Sequence, residues 1–353
     1  DMSDLNAYRE FSSKPTTTVD TVPYYIYVIE GAFLMTMSLA LVILIVATSK
    51  LRSQKEFQIF ILCVLFDAIF GLAYLSAGIH RLNIVHSHQL VPLSTRWECM
   101  NMVHNHVFVF ITPGAGILAL ITSVDRFISV FFPLKYIKIQ ADRYFFALIA
   151  VLILATAPTT VLSYMTTYAQ GRITDVNSLC LLVQATTASM FKVLRAVRIS
   201  TTIIAVVLYI PIAIRMYYVI KRSAAFNIKA GQAAKLRRMT LTVSLITLSQ
   251  LLLFTLPDTI LFVKPDLQSM AFYIMNLNKG IINVLIFFLT QRDLRKALVQ
   301  QLCSLFGKRL QNMINVEVSS IQNADSSSRK KPTTVTPVRR LQGSARSQNS
   351  MHR

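Results

Sequence analysis

The chain has 353 residues, 54% of them hydrophobic and 15% charged, and a formal net charge of +20. Soluble domains carry about 25% charged residues; here the deficit is concentrated in long apolar runs, which argues for membrane spans over one large soluble core. The basic residues lie between those runs and in the tail, so the charge is explained by membrane topology and not by nucleic-acid binding.

A span needs about 20 mostly apolar residues. Seven stretches meet this: residues 24–48, 57–79, 99–131, 144–164, 200–220, 239–263 and 270–290. The expected fold is therefore an all-α membrane protein with seven transmembrane helices over residues 24–290. Residues 1–23 are polar and read as an extracellular segment with no cleavable signal peptide; the first residue is Asp, so the natural start is expected upstream. Loops after spans one and three, with segment 215–238, hold thirteen Lys or Arg, against nine on the other side; residues 291–353 add twelve to the first side. Positive-inside topology then puts the N-terminus outside and the tail in the cytoplasm of a multi-pass plasma-membrane protein. No inverted repeat of the transporter kind is found.

Residues 291–305 come directly after the last span. Leu294, Leu298 and Leu302 recur every four residues, with Arg292, Arg295 and Lys296 between them. This predicts a short amphipathic cytoplasmic helix on the membrane lipid. Cys303 is a palmitoylation candidate or an unmodified thiol. Residues 306–353 are polar and basic and are expected to be disordered. Ser326, Ser327, Ser328, Thr333, Thr334 and Thr336 beside Arg329, Lys330 and Lys331 are either phosphorylation sites or simply a solvated tail. Of the four cysteines, Cys63 lies in an apolar run and reads as packing, whereas Cys99 and Cys180 fall where an oxidising compartment is expected.

Cys99 and Arg126 are 27 residues apart. A helix of that length is ~40 Å long, close to a bilayer with its headgroups, ~40–45 Å. One helix can thus carry Cys99 at one face and Asp125-Arg126-Phe127 at the other, followed by Pro133 and Leu134. The plain reading of Asp125 and Arg126 is interfacial charges reaching for water. The whole arrangement resembles the Asp-Arg-Tyr region and second inner loop of rhodopsin-like G-protein-coupled receptors. In span two, Leu62-Cys-Val-Leu-Phe-Asp67 resembles that family's Leu-Ala-x-x-x-Asp, whose acid binds sodium. A carboxylate in mid-membrane costs about 2.5–3.5 kcal/mol on insertion scales. Phe254-Thr-Leu-Pro257 stands for Cys-Trp-x-Pro, keeping the kinking proline without the tryptophan. Asn283-Val-Leu-Ile-Phe287 stands for Asn-Pro-x-x-Tyr, and Pro211 matches a span-five proline. Span one has Ser38 where Asn is usual, and span four lacks its tryptophan. Eroded signatures in spans six and seven beside an intact Asp-Arg-aromatic motif are similar to the nematode serpentine chemoreceptors, with the Srsx class nearest.

That resemblance implies a non-enzymatic sensory receptor, without cofactor, for a small environmental or pheromone-like ligand, coupled to a heterotrimeric G protein, with arrestin and kinases acting at the tail. It implies a Cys99–Cys180 disulfide holding the outer loop across the pocket mouth. Irregularity near Pro113, Gly114 and Gly116 is expected to absorb the two extra residues between Cys99 and Arg126. Transferred by position, the pocket opens between spans three, five, six and seven. Its wall includes Phe108, Thr112, Asp258, Tyr273 and Asn276, with Ile111, Ile203 and Val207 as apolar lining. Lys192, Arg195 and Arg198 form a basic ridge that could attract an acidic ligand, pair with Asp258 or meet lipid phosphates, the last being the default for interfacial cations. His104 sits near the pocket rim in a group with His80, His86, His88 and His106; no acid or free Cys completes a metal site there. Lys279, four residues before Asn283, differs by two positions from the opsin lysine and faces elsewhere; it is expected to pair with Asp67 in place of sodium.

Other classes fit less well. A transporter or channel would show repeats or rows of intramembrane charge. A membrane enzyme would need a Ser–His–Asp or His-Glu-x-x-His set, and neither is present. A receptor of the same fold for a neuropeptide or other endogenous ligand remains an alternative. The family cleft for the Gα C-terminal helix falls at Arg126 and Leu241, opened by span six swinging about Pro257. Arg237 stands where some members carry an acid that pairs with the inner arginine, so that lock is missing. Arg237→Glu is therefore expected to lower ligand-independent signalling in a cell-based G-protein assay. Unmeasurable basal signalling from the native chain would contradict the missing lock.

Overall fold

The computed structural model describes residues 21–87, 92–171, 176–226, 230–264 and 270–307. The chain divides into two compact units, residues 1–298 and 299–353, and the helix bundle belongs to the first. The five leading long helices are α1 (Val22–Ala47), α2 (Lys55–Ser87), α3 (Val103–Phe131), α4 (Ala141–Gln170) and α5 (Ala188–Phe226). Helix α6 runs as Ala230–Gln250, a π-helical turn Leu251–Thr255, and Leu256–Val263; α7 is Met270–Thr290 and α8 is Arg292–Phe306. Among the described residues, six helices are long and apolar enough to cross a membrane, and α7 makes a seventh when taken with the start of α8, to which the chain bends by 89°.

Burial separates central from peripheral helices. Most of the apolar stretch of α2 and of α3 is buried, whereas α4 is mostly exposed. The exposed side chains of α4 include Leu154, Val161 and Met165, and those of α1 include Ile29, Phe33 and Ile43. Such outward apolar surface suits hydrocarbon and not water. At the start of α8, Leu294 and Ala297 are buried against the bundle, which gives the four-residue leucine spacing a packing role.

Three helix limits depart from the sequence expectation. Helix α2 continues to Ser87, past His80 and Arg81, and α5 begins at Ala188, before Lys192, Arg195 and Arg198. Hydropathy stops at such residues, but Arg81, Arg195 and Arg198 turn inward and are buried. The third departure concerns Cys99. It lies on a separate short helix, Arg96–Met100, and α3 starts only at Val103. The chain breaks at Asn101 and Met102, so the extra residues before Arg126 are absorbed there. Pro113 lies within continuous helix, and the expected irregularity around it is not the cause.

Helices α1 and α2 meet backbone to backbone. A Cβ on Gly31 would lie 2.8 Å from the Leu75 nitrogen and 2.9 Å from the Gly71 oxygen. One on Gly71 would lie 2.8 Å from both the Gly31 oxygen and the Met35 nitrogen. Small residues permit this close approach in membranes, where helix association relies on packing. Gly116 does the same for α3 and α5, since its Cβ would come within 2.5 Å of the Arg198 carbonyl oxygen. Gly31→Val and Gly71→Val are each expected to lower stability by about 1–3 kcal/mol or more, read as a drop in thermal unfolding temperature of the purified protein. An unchanged midpoint would show that the two helices part without loss of stability.

Candidate functional site

Among the described residues, two buried polar centres flank one aromatic ring. In the first, Lys279 Nζ lies 3.1 Å from Asp67 Oδ1, and Asn283 Nδ2 donates to Asp67 Oδ2 at 3.2 Å. Ser249 Oγ donates in turn to Asn283 Oδ1 at 2.9 Å. Lys279 and Asn283 are four residues apart on α7, hence on one helix face, and both reach the Asp67 carboxylate of α2. In the second centre, Arg198 of α5 is ion-paired with Asp258 of α6. All four charged residues are buried. Phe254 lies between the centres: the Arg198 guanidinium is 4.2 Å from its ring centroid and Lys279 Nζ is 5.8 Å away. Cations over a ring face are worth about 2 kcal/mol or more when desolvated. The path Asp67, Lys279, Phe254, Arg198, Asp258 is thus continuous. Pro257 lies just past the π turn. The motif reading missed Phe254 because the residue stood in for a cysteine. Its only signal was an aromatic beside the span-six proline.

A cavity of about 60 Å³ opens at the Arg198–Asp258 centre. Four of the expected wall residues line it, Phe108, Thr112, Asp258 and Asn276, and Arg198 of the basic ridge joins them. His104 does not; it is buried above the cavity, its ring 5.3 Å from that of His80 and 6.5 Å from that of Phe108. The Tyr273 side chain lies outside the described residues. Ile111 is buried in the core, while Ile203 and Val207 are exposed on the outward face of α5 and line nothing. The cavity is also wider in membership than expected. Tyr27 of α1 and Phe70, Tyr74 and Arg81 of α2 join its wall. Arg195 lines it as well. The ridge therefore splits: Lys192 is exposed, but Arg195 and Arg198 point inward, which overturns the lipid-phosphate reading for those two.

The roof of the cavity is Leu181, Leu182 and Val183, anchored by a disulfide between Cys99 and Cys180. Strand β1 (Leu93–Ser94) pairs antiparallel with β2 (Val176–Asn177) just beside it. Asn105 Nδ2, buried on α3, donates to the carbonyls of both Cys99 (2.8 Å) and Cys180 (3.0 Å). Arg81 Nε donates to the Leu179 carbonyl at 3.1 Å, and a His80 ring nitrogen bonds the Ser178 carbonyl at 3.2 Å. Cys180 itself has φ 48, in the left-handed region uncommon for a side-chain-bearing residue. The short helix carrying Cys99 starts with a capping box: Glu98 N donates to Thr95 Oγ1, and Thr95 N donates to Glu98 Oε2. These bonds, with one from Ser94, hold the Glu98 carboxyl below its usual range. Among the remaining histidines, His86 bonds the Leu82 carbonyl and His106 stacks on Tyr164; His88 lies outside the described residues.

At the opposite end, Asp125 and Arg126 are buried and do not reach for water. Arg126 Nε donates to Asp125 Oδ2 at 2.8 Å. Tyr144 Oη donates to Asp125 Oδ1, and Arg126 Nη2 lies 3.4 Å from Tyr136 Oη. Tyr136 belongs to a helix, Pro133–Lys138, that Pro133 opens, a position where its missing N–H costs nothing. Phe127 stacks on Phe131 at 4.4 Å. Leu134 and Leu241 are exposed. The side chains of Arg237 and Cys303 lie outside the described residues, as do residues 1–20 and 308–353.

Residues 34–298 match the family described as serpentine type 7TM GPCR chemoreceptor Srsx. The chain belongs to this family. No individual curated protein matches it. The matched region holds the Asp67–Lys279 and Arg198–Asp258 centres, the disulfide and the Asp125–Arg126 pair. In this Srsx chain a lysine holds the mid-helix carboxylate, so no separate cation is needed to neutralise it.

Removing one member of a buried ion pair leaves the other uncompensated, at about 3–5 kcal/mol. Lys279→Ala should therefore destabilise the Srsx protein strongly, and Asp67→Asn in the same chain should restore much of the loss. Thermal unfolding of the four proteins of this cycle measures the coupling, and additive losses would count against a direct pair.

Proposed function

We propose that this chain is a G-protein-coupled chemoreceptor of the plasma membrane. It binds a small ligand in the roofed cavity, which faces outside with the N-terminus, and activates a heterotrimeric G protein at the Asp125–Arg126 end in the cytoplasm. The supporting observation is the continuous path from Asp258 at the cavity through Arg198, Phe254 and Lys279 to Asp67 on α2. A ligand that alters the Arg198–Asp258 contact acts on both cations that share the Phe254 ring, and so on the α2–α7 link. Pro257 lies beside this ring, where α6 bends most readily. Arg126 is released to the G protein when its contacts with Asp125 and Tyr136 loosen. The proposal includes an amphipathic helix from residue 291 on the cytoplasmic leaflet, with arrestin, kinases and lipidation acting at the segment beyond it.

Ligand-dependent guanine-nucleotide exchange on purified heterotrimeric G protein tests this reading. The chain reconstituted in lipid discs should accelerate exchange when a ligand from a chemically diverse panel is present, and Arg126→Ala should reduce that acceleration roughly tenfold or more, about 1.4 kcal/mol. Solute flux through proteoliposomes without any exchange would replace the receptor reading with transport.

A further inference from the structure

The cavity wall holds three arginines, Arg81, Arg195 and Arg198, and one acid, Asp258. Asp258 is taken by Arg198. Among the described residues, Arg81 and Arg195 have no carboxylate partner. Arg81 directs its Nε to the Leu179 carbonyl and lies over the rings of Tyr24 and Tyr27 at 5.9 and 5.7 Å. Arg195 is 5% exposed, its guanidinium 4.3 Å from the Phe191 ring centroid, and its Nε has no hydrogen-bond partner. A guanidinium cannot shed its proton to relieve such burial. The described lining of the cavity therefore carries more positive than negative charge.

We propose that the cavity takes a small organic acid, whose carboxylate sits on Arg195 and whose apolar body lies against Phe108, Phe191 and Phe254. This rests on the receptor reading and adds the ligand class. A carboxylate matches one planar guanidinium fork with two parallel hydrogen bonds. A dianionic phosphate ester meets repulsion from Asp258, and a cationic ligand finds Asp258 already occupied. The volume sets a size: at roughly 10–15 Å³ per water-sized sphere, the 60 Å³ cavity accepts a group of about four to six heavy atoms. Longer acids must displace part of the Leu181–Val183 roof.

The test uses the purified full chain in detergent and needs no G protein. Thermal unfolding is followed with acetate, propanoate and butanoate, each beside its methyl ester and the corresponding primary amine. The acids should raise the midpoint and their esters and amines should not. Arg195→Gln should unfold at the same or a higher temperature than the native chain without ligand, because it removes an uncompensated charge, and should lose the acid-induced shift. If Arg195→Gln fails to fold, Arg195→Lys decides: it keeps the charge but loses the fork, so affinity for the acid should fall roughly tenfold. No shift from any acid, equal shifts from esters or amines, or an acid shift that survives Arg195→Gln would overturn the proposal. Acid binding without nucleotide exchange would count against the coupling reading alone. Exchange driven by esters or amines would count against the acid alone.

Discussion

A charge inside a membrane-spanning bundle needs a partner, since the effective penalty for taking an ion out of water is several kcal/mol. That requirement fixes which helices must touch. Asp67 binds α2 to α7 through Lys279 and Asn283. Arg198 and Asp258 bind α5 to α6, and the Asp125–Tyr144 hydrogen bond joins α3 to α4. Each link connects helices through groups that are hard to separate. Helix α1 is held differently, by glycine-permitted contact with α2. Close packing, joined by Arg81 of α2 lying over the Tyr24 and Tyr27 rings, takes the place of an ion pair there.

The same requirement explains Phe254. A ring between two cations softens their mutual repulsion with a smaller desolvation penalty than a third carboxylate would impose. It also makes the two ion pairs interdependent, since neither cation can leave the ring without altering the field at the other. The cavity lies against the half of this arrangement that contains Arg198 and Asp258. The buried Asp125–Arg126 pair lies at the far end of α3, whose centre is tied to α6 by Gln250 donating to the Ala115 carbonyl at 3.0 Å. A change at the cavity therefore has a physical route along α6 and α3.

Much of this was legible in the sequence. Hydropathy located the bundle, because apolar runs of bilayer length have few other uses. The pairing of Asp67 with Lys279 was legible through the resemblance, which puts that lysine near the family's mid-membrane acid, and the structure brings the two within 3.1 Å. The cavity was less legible. Arg195 and Arg198 looked interfacial because hydropathy ends a span at the first cations; it cannot tell a cation facing lipid headgroups from one turned into a bundle. Ile203 and Val207 looked like pocket lining for the complementary reason, since an apolar residue in a membrane protein faces lipid as readily as ligand. Asn105, which holds both halves of the disulfide, carried no local signal at all. Its role depends on two carbonyls whose residues are 81 positions apart in the chain.

The π turn in α6 sets the angular phase of that helix. Gln250 and Asp258 are eight residues apart. In an uninterrupted α-helix that spacing leaves them about 80° out of phase. One of the two would then sit toward the edge of the roughly 100° stripe that a packed helix face presents. A π turn absorbs roughly one residue without advancing the phase, which brings the remaining offset to about 20°. The helix behaves as two cylinders with a rotational offset between them, so that its two ends can each be set to face α3 and α5. A single-residue change of length within Leu251–Thr255 would spin one cylinder relative to the other while leaving every side chain in both unchanged.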